Sequence, residues 1–305
     1  MGGEGIENRE TEEQDLWRRL PQSEGEERAE LYIQLAKQAI YRSSGSEALA
    51  LAEQAHEIYK AMGVRASSVA MAEAITQIGN SLYELKRFDE ATKALDSAID
   101  LLRMGGDPFV VDTMRMKAFM LCNMKRWENA LETYLEIVRI NEIDGHVEFV
   151  ARDLLSVAVC QQELGRWQEV IDTALRTREY FKGEKMFLEV SWCNLFIAEA
   201  YAELGDGPAA IEWGQRANDI GTLRKSREMI CKSNYVIGRG NIALSQFGEA
   251  ETKLLAAQEI VADTSDWVQI RKIEKALIEV SRATERGSEA DEAERRLKTL
   301  QEIEE

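Results

Sequence analysis

Side chains that commonly carry catalysis or hold metals are few in this sequence, and they are widely spaced. Histidine, the usual general acid or base near neutral pH, occurs only at His56 and at His146, 90 residues further on. No Cys-x-x-Cys, His-Glu-x-x-His or phosphate-binding glycine loop is present, and the nearest cluster, Gly238-Arg239-Gly240, lies inside a predicted helix and indicates a helix contact. The sequence therefore predicts no catalytic residue, no cofactor and no metal site in a protein that is not an enzyme.

The cysteines, the charge balance and the hydropathy indicate the compartment and the kinds of partner. Each cysteine falls inside a predicted helix, which indicates buried, reduced thiols: Cys122, Cys160, Cys193 and Cys231. Lysine and arginine number 38 against 55 acidic residues, a net charge of −17, which argues against nucleic acid and anionic membranes as partners. A solvated acidic face or a basic partner both fit this charge. Because no apolar run approaches the ~18 residues that span a bilayer, we expect a cytoplasmic protein.

A small residue that recurs along the sequence indicates the elements that position the remaining side chains. We call these the anchor positions, and they follow one another at steps of 43, 39, 40, 40, 40 and 40 residues: Ala48, Ala91, Ala130, Val170, Ala210, Ala250 and Ala290. Twelve residues before the anchor, six of the seven copies again have alanine or glycine. A period between 20 and 50 residues indicates one supersecondary unit stacked many times.

Each copy has the pattern of two amphipathic helices, A and B, joined by a short turn. In the second copy, apolar residues at helical spacing predict helix A over residues 66–85 and helix B over residues 88–102. Glycine at Gly165 and Gly205 indicates left-handed backbone in the turn within a pair. Four further glycines stand where a unit ends, a place that favours the same conformation: Gly63, Gly145, Gly183 and Gly221.

The predicted organisation is an acidic N-terminal segment followed by one all-α solenoid of about seven antiparallel helix pairs. Residues 1–14 are rich in glycine and glutamate and predict disorder, while residues 15–20 predict a short helix turn, together forming a segment at 1–23. The solenoid covers residues 24–305, with repeats near 24–63, 66–106, 107–145, 146–183, 185–222, 225–263 and 265–305. The last repeat is highly charged and predicts a polar cap.

This arrangement resembles the tetratricopeptide repeat (TPR). The second copy has Gly79, Ala91, Leu95 and Ala98 at the small, anchor, large and small positions of that motif, and six other copies follow in register over residues 24–305. The chain departs from the motif in its period, near 40 rather than about 34 residues, and in lacking most of the terminal prolines. The resemblance implies a right-handed superhelix in which helix A lines a concave groove that holds an extended or helical peptide.

The resemblance also places groove-facing residues 18, 15, 14 and 11 positions before each anchor. From these positions we predict a partner-binding groove of cations, aromatic side chains and one amide: Asn80, Arg115, Phe119, Arg152, Trp192, Phe196, Lys232, Tyr235 and Arg239. Other residues at these positions include Val159, Leu195, Glu199, Val236 and Lys272. Two interpretations stay open: the aromatic residues either face a partner or pack between long helices, and the cations either bind it or pair with residues such as Asp112 and Glu199.

The preferred function is a non-catalytic scaffold or adaptor whose groove binds a protein or peptide segment of acidic or amphipathic character. A peptide-responsive regulator of the bacterial signalling type is an alternative, although we expect the ~23 residues before the first repeat to be too few for an effector domain. A second alternative is an oligomeric structural component, in which the isolated Trp17 pairs between chains.

Overall fold

The computed structural model describes residues 3–63, 67–183, 185–262, 264 and 266–304. Within this part of the chain, all regular structure is helical, which confirms the all-α prediction. None of the described helices is both long and apolar enough to cross a membrane. The chain divides into two compact units, Met1–Ile140 and Asn141–Glu305. Some limits of the predicted segments lie outside the described residues, which do not include residues 1, 2, 66, 263, 265 and 305.

The first unit begins with one helix and a 3-10 turn at Leu20–Gln22, followed by helix pairs. Within it, α2 packs along α3 and α4 packs along α5, as the antiparallel pairing predicts. The helices are α1 Gly3–Arg19, α2 Gly25–Tyr41, α3 Gly45–Met62, α4 Ser68–Glu84, α5 Phe88–Gly105, α6 Phe109–Asn123 and α7 Trp127–Ile143, whose last turn crosses into the second unit.

The second unit continues the alternation of A and B helices, with α8, α10, α12 and α14 as the A helices. Consecutive helices pack against each other, and α12 also packs against α10 and α14. The helices are α8 Val147–Glu163, α9 Trp167–Gly183, α10 Phe187–Glu203, α11 Gly207–Arg224, α12 Arg227–Ala243, α13 Phe247–Val261, α14 Trp267–Ala283 and α15 Gly287–Glu304.

The N-terminal segment differs from the predicted disorder and short helix turn, because α1 is a single helix from Gly3 to Arg19. Its sequence has no proline or β-branched run, and glutamate and arginine are good helix formers. The side chains of Leu16 and Leu20 are buried against a cluster that includes Leu31, and this packing supplies the tertiary contact that a helix of this length needs. Trp17 is 42% exposed, and its indole N–H donates to Glu13 Oε1 at 3.3 Å.

The anchor positions are buried in all seven copies, and the small residues twelve positions earlier explain why. A Cβ on Gly79 of α4 would lie 2.9 Å from the Leu95 side chain and 3.3 Å from the Ala91 carbonyl oxygen. In the sixth copy, a Cβ on Gly238 would lie 2.8 Å from Leu254 and 3.3 Å from the oxygen of the anchor Ala250. The A and B helices therefore approach so closely that only the smallest side chains fit between them.

The turns within the pairs repeat one backbone feature, a residue with positive φ two residues after helix A. Gly165 and Gly205 hold this place as predicted, whereas Lys86, Lys125, Ser245 and others hold it without glycine. Between pairs, Gly63 and Gly145 adopt positive φ as expected. Gly183 and Gly221 do not; there the left-handed residues are Lys185 and Lys225. Gly221 instead lies inside α11, where a Cβ would be 2.9 Å from the Met229 side chain.

Replacement of the anchor Ala91 by leucine should overpack the contact between α4 and α5. We expect Ala91→Leu to lower the free energy of unfolding by roughly 1–3 kcal/mol, measured by urea denaturation. Lys93→Leu on the exposed face of α5 is the control and should change it by less than about 0.5 kcal/mol. Equal values for the two variants would contradict the contact.

Substitution of glycine for a left-handed lysine should relieve strain in a turn. Lys125 is exposed and has φ of 57°. We expect Lys125→Gly to raise the free energy of unfolding by roughly 0.5–1 kcal/mol. Glycine avoids the steric penalty of the left-handed backbone, and its greater conformational entropy in the unfolded chain offsets part of that gain. Gly165→Ala is the reciprocal variant; its Cβ would meet nothing within 4 Å, so any loss of stability reports the backbone alone.

Candidate partner-binding site

A helices of four successive repeats contribute side chains to one cavity of about 310 Å³ in the unit Asn141–Glu305, which we call the A-helix cavity. Nine of the residues that line it stand at the groove positions counted back from the anchors: Val159, Trp192, Leu195, Phe196, Glu199, Lys232, Tyr235, Val236 and Lys272. The shared register of α8, α10, α12 and α14 is what brings side chains up to 113 residues apart in sequence to one place (159 to 272).

Aromatic residues of this cavity also pack on the helices behind it. Phe196 contacts the buried cluster of Val170 and Ile171 on α9, and Trp192 contacts the cluster of Leu195 and Met229. Tyr235 is 6% exposed, and burial raises the pKa of its hydroxyl above the ordinary value of 10.0. Trp192, Phe196 and Tyr235 therefore both pack between helices and line the cavity, so the two interpretations of the aromatic residues are compatible.

The cations around the cavity are paired with carboxylates. The Lys272 ammonium lies 2.6 Å from Glu199 Oε1, so that α14 is tied to α10 across α12. The Lys232 ammonium lies 3.0 Å from Glu228 Oε1 and 4.7 Å from the centre of the Trp192 ring, a cation–π distance. Burial opposes the charge of Lys272, but attraction and hydrogen bonding by Glu199 outweigh it and raise the pKa of the amine above 10.5.

Predicted site residues outside the cavity make local contacts instead. Arg239 lies 3.4 Å from Glu203 Oε1 and donates to the Tyr235 hydroxyl at 3.5 Å. Arg152 is exposed and pairs within its own helix with Glu148 at 2.9 Å. Of the nine predicted residues, the structure thus brings Trp192, Phe196, Lys232 and Tyr235 together in the A-helix cavity.

Three predicted site residues belong to the unit Met1–Ile140. The Asn80 amide donates to Gln77 Oε1 at 3.3 Å, and the Arg115 guanidinium pairs with Asp112 at 2.7 Å. Phe119 is 57% exposed. The contacts described for Asn80 and Arg115 each lie within a single helix, α4 and α6 respectively.

Four cavity residues do not stand at any of the groove positions: Gln162, Asp266, Val268 and Gln269. Gln162 is three residues after the groove position Val159, and Val268 is four residues before Lys272, so both continue the same helix faces by one turn. Asp266 is the N-cap of α14, where its carboxylate accepts from the Gln269 backbone N–H at 3.0 Å. If each groove position had been extended by one helical turn in both directions, Gln162, Val268 and Gln269 would have been predicted, but Asp266 would not.

The thiols and carboxylates of this unit do not form a reactive arrangement. Burial raises the pKa of the Cys193 thiol to about 12 and that of Cys231 to about 11, so neither is a thiolate near neutral pH. Among the residues that the structure describes, no group of three histidine, cysteine or acidic side chains is placed to hold a metal ion. The cavity is lined by aromatic rings, two amide side chains and charges that are paired.

Solved structures that resemble this chain are TPR-like helical-repeat proteins. The apo form of RapI has a TM-score of 0.66 at 13% identity, covering 90% of this chain and 97% of RapI. The C-terminal part of a TPR repeat-containing protein from Cytophaga hutchinsonii has a TM-score of 0.63 at 10% identity, covering 87% and 94% of the two chains. A Rap protein complexed with Competence and Sporulation Factor has a TM-score of 0.54 at 13% identity, covering 95% and 79%.

These similarities show the fold, which is TPR-like, and at such low identity they show the fold alone. No protein-family model matches the sequence, and no curated protein matches it. The resemblance inferred from the anchor spacing is confirmed at the level of fold.

The ion pair between Glu199 and Lys272 should couple two repeats energetically. We expect a double-mutant cycle with Glu199→Gln and Lys272→Met to give a coupling of about 1 kcal/mol, because the pair is partly buried. At pH 7 the amine is charged in folded and unfolded chains, so its contribution to the pair is present; this contribution is lost as the pH rises through the raised pKa of the folded state. A cycle with Glu148→Gln and Arg152→Met, an exposed pair within one helix, should give less.

Proposed function

We propose that this protein is a non-catalytic interaction protein and that its A-helix cavity binds a segment of a partner protein. The observation that supports this most directly is the convergence of four successive A helices on one cavity with aromatic, aliphatic and charged walls. Clefts of about 300–1,000 Å³ with apolar walls and a few polar groups are typical of ligand sites, and a concave line of repeats favours an extended or helical segment.

Charge compensation favours an amphipathic partner segment over a strongly acidic one. Lys232 and Lys272, the two cations that line the cavity, each have a carboxylate within 3.0 Å. An acidic ligand would have to displace Glu228 or Glu199, and it would also approach a chain of net charge −17. An apolar side chain that packs on Trp192, Phe196 and Val268 displaces no carboxylate and is not repelled by the net charge.

A peptide-responsive regulatory role is the second candidate, and one observation favours it. The similarity to the Rap protein that was solved with Competence and Sporulation Factor covers 95% of the chain described here. On this proposal the bound segment is a short peptide, and binding changes the packing of the repeats. Small-angle scattering with and without a bound peptide separates the two candidates, since a scaffold that only docks a segment keeps its profile.

The cavity is tested by selecting a phage-displayed library of random 12-residue peptides on the full chain and measuring the affinity of the selected peptides by calorimetry. Val159 and Val268 line the cavity and are 39% and 58% exposed, so a charge at either place should leave the fold intact. We expect Val159→Asp with Val268→Asp to weaken binding about tenfold or more, because a carboxylate is desolvated against the ligand.

Val147→Asp is the matched control for that experiment. Val147 lies on the same helix as Val159, is 48% exposed and is not a cavity residue. The control should bind the selected peptides like the wild type. Peptides whose affinity is the same for wild type, cavity variant and control would show that the A-helix cavity is not the binding site.

A further inference from the structure

We infer that the partner segment places one large apolar side chain in a second cavity, beside the A-helix cavity, and that Gln269 donates a hydrogen bond to a peptide carbonyl where the two cavities meet. This inference rests on the proposed function and specifies the chemistry of its ligand. The second cavity, which we call the side cavity, has a volume of about 390 Å³ and lies between α12, the end of α13 and the start of α14.

The side cavity arises from a short helix. B helix α11 ends at Arg224, and a step of 40 residues would take its counterpart α13 to position 264. Helix α13 ends at Val261 instead, close to one turn earlier. Ile260, Val261 and Cys231 form walls of the cavity, and Cys231 already uses its thiol to donate to the Ala257 carbonyl oxygen at 3.4 Å. These walls suit an aliphatic or aromatic group rather than a charged one.

Three residues line both cavities and form the junction between them: Lys232, Asp266 and Gln269. The charged ones already have partners, since Lys232 is paired with Glu228 and Asp266 caps α14. At the outer rim, the Arg227 guanidinium donates to the Ile260 carbonyl oxygen at 3.2 Å. The junction therefore offers no uncompensated cation to a phosphate or a carboxylate.

The Gln269 side chain is the exception at this junction. It is 6% exposed, and its Nε2 has no hydrogen-bond partner among the residues that the structure describes. A buried donor without an acceptor destabilises the free protein, so a ligand that supplies an acceptor gains more than an ordinary hydrogen bond. A neutral carbonyl, reached by rotation of the amide about its terminal bond, is the acceptor that suits an uncharged junction.

The size of the side cavity and the polarity of the junction together favour a peptide as the ligand. A peptide carries a carbonyl next to every side chain, so one residue can satisfy Gln269 and fill the side cavity at once. Its neighbours then follow the aromatic walls of the A-helix cavity, and the segment crosses the unit over the junction. We therefore expect the peptides selected on the full chain to share one leucine, methionine or aromatic residue.

Gln269→Leu tests the hydrogen bond with a side chain of similar size. We expect the affinity for the selected peptides to fall about three- to tenfold, while the thermal stability of the free protein stays the same or rises, because the unpaired donor is gone. A purely structural glutamine would show the opposite, a loss of stability. Gln161→Leu is the control, since Gln161 is also 6% exposed but lines neither cavity, and it should leave the affinity for the selected peptides unchanged.

Ile260→Trp tests the side cavity by filling it, and Ile260→Leu is the control of conserved volume. Ile260 is half-buried and does not line the A-helix cavity. We expect Ile260→Trp to lower the affinity for the selected peptides about tenfold. When the shared apolar residue of these peptides is replaced by alanine, the same variant should change the affinity little. This coupling between protein and peptide substitutions is what occupancy of the side cavity requires.

The outcomes separate this inference from the proposed function. Binding that is weakened by Val159→Asp with Val268→Asp but unchanged by both Gln269→Leu and Ile260→Trp overturns the side cavity and leaves the A-helix cavity standing. Binding that none of these variants changes overturns both. If Ile260→Trp does not fold, Gln269→Leu with its stability measurement decides the inference alone.

Discussion

The close approach of helix A to helix B at the anchor position is the constraint on which the rest of this structure depends. Where Gly79 meets Leu95 and Gly238 meets Leu254, there is no room for a Cβ, and the backbone of one helix rests on the other. Such a contact permits one separation and one register, since a shift along the helix would bring larger residues into the gap. Because six of the seven copies have a small residue at this place and the interval is nearly constant, residues at the same position in the repeat stand at equivalent places on successive helices.

The A-helix cavity is a consequence of that register rather than a separate feature. Residues such as Trp192, Lys232 and Lys272 occupy one position in three successive repeats, and stacking therefore sets their side chains side by side. The same alignment lets Lys272 reach Glu199 across α12. The ion pair and the packed aromatic rings hold the walls of the cavity through contacts within the unit. Under the proposed function, such pre-organised walls would reduce the entropy that binding must overcome.

Much of this fold could be predicted from sequence, because the signals are local and repeated. The buried anchors, the helix pairs and the left-handed Gly165 and Gly205 follow from spacing and residue type alone. The N-terminal helix could not, since its order depends on the tertiary burial of Leu16 and Leu20. At the site, the register predicted that Trp192, Phe196, Lys232 and Tyr235 would stand at groove positions. Pairing of a groove cation with Glu199 was one of the two interpretations left open by the sequence; that Lys272 is the partner depends on the separation of α10 and α14. The side cavity lies at the early end of α13, which no local pattern predicts.

The electrostatics and the packing of the second unit point to the same kind of ligand. Each cation that lines the A-helix cavity is neutralised by a neighbouring carboxylate, and the chain as a whole carries a charge of −17. Long-range repulsion therefore disfavours acidic segments, and the local site provides little positive charge to offset it. Under the proposed function, recognition therefore depends on shape, apolar contact and the Gln269 donor. We propose that such a site excludes a segment that has no apolar residue at the correct spacing from a carbonyl, because that segment would leave a buried donor unpaired and a cavity unfilled.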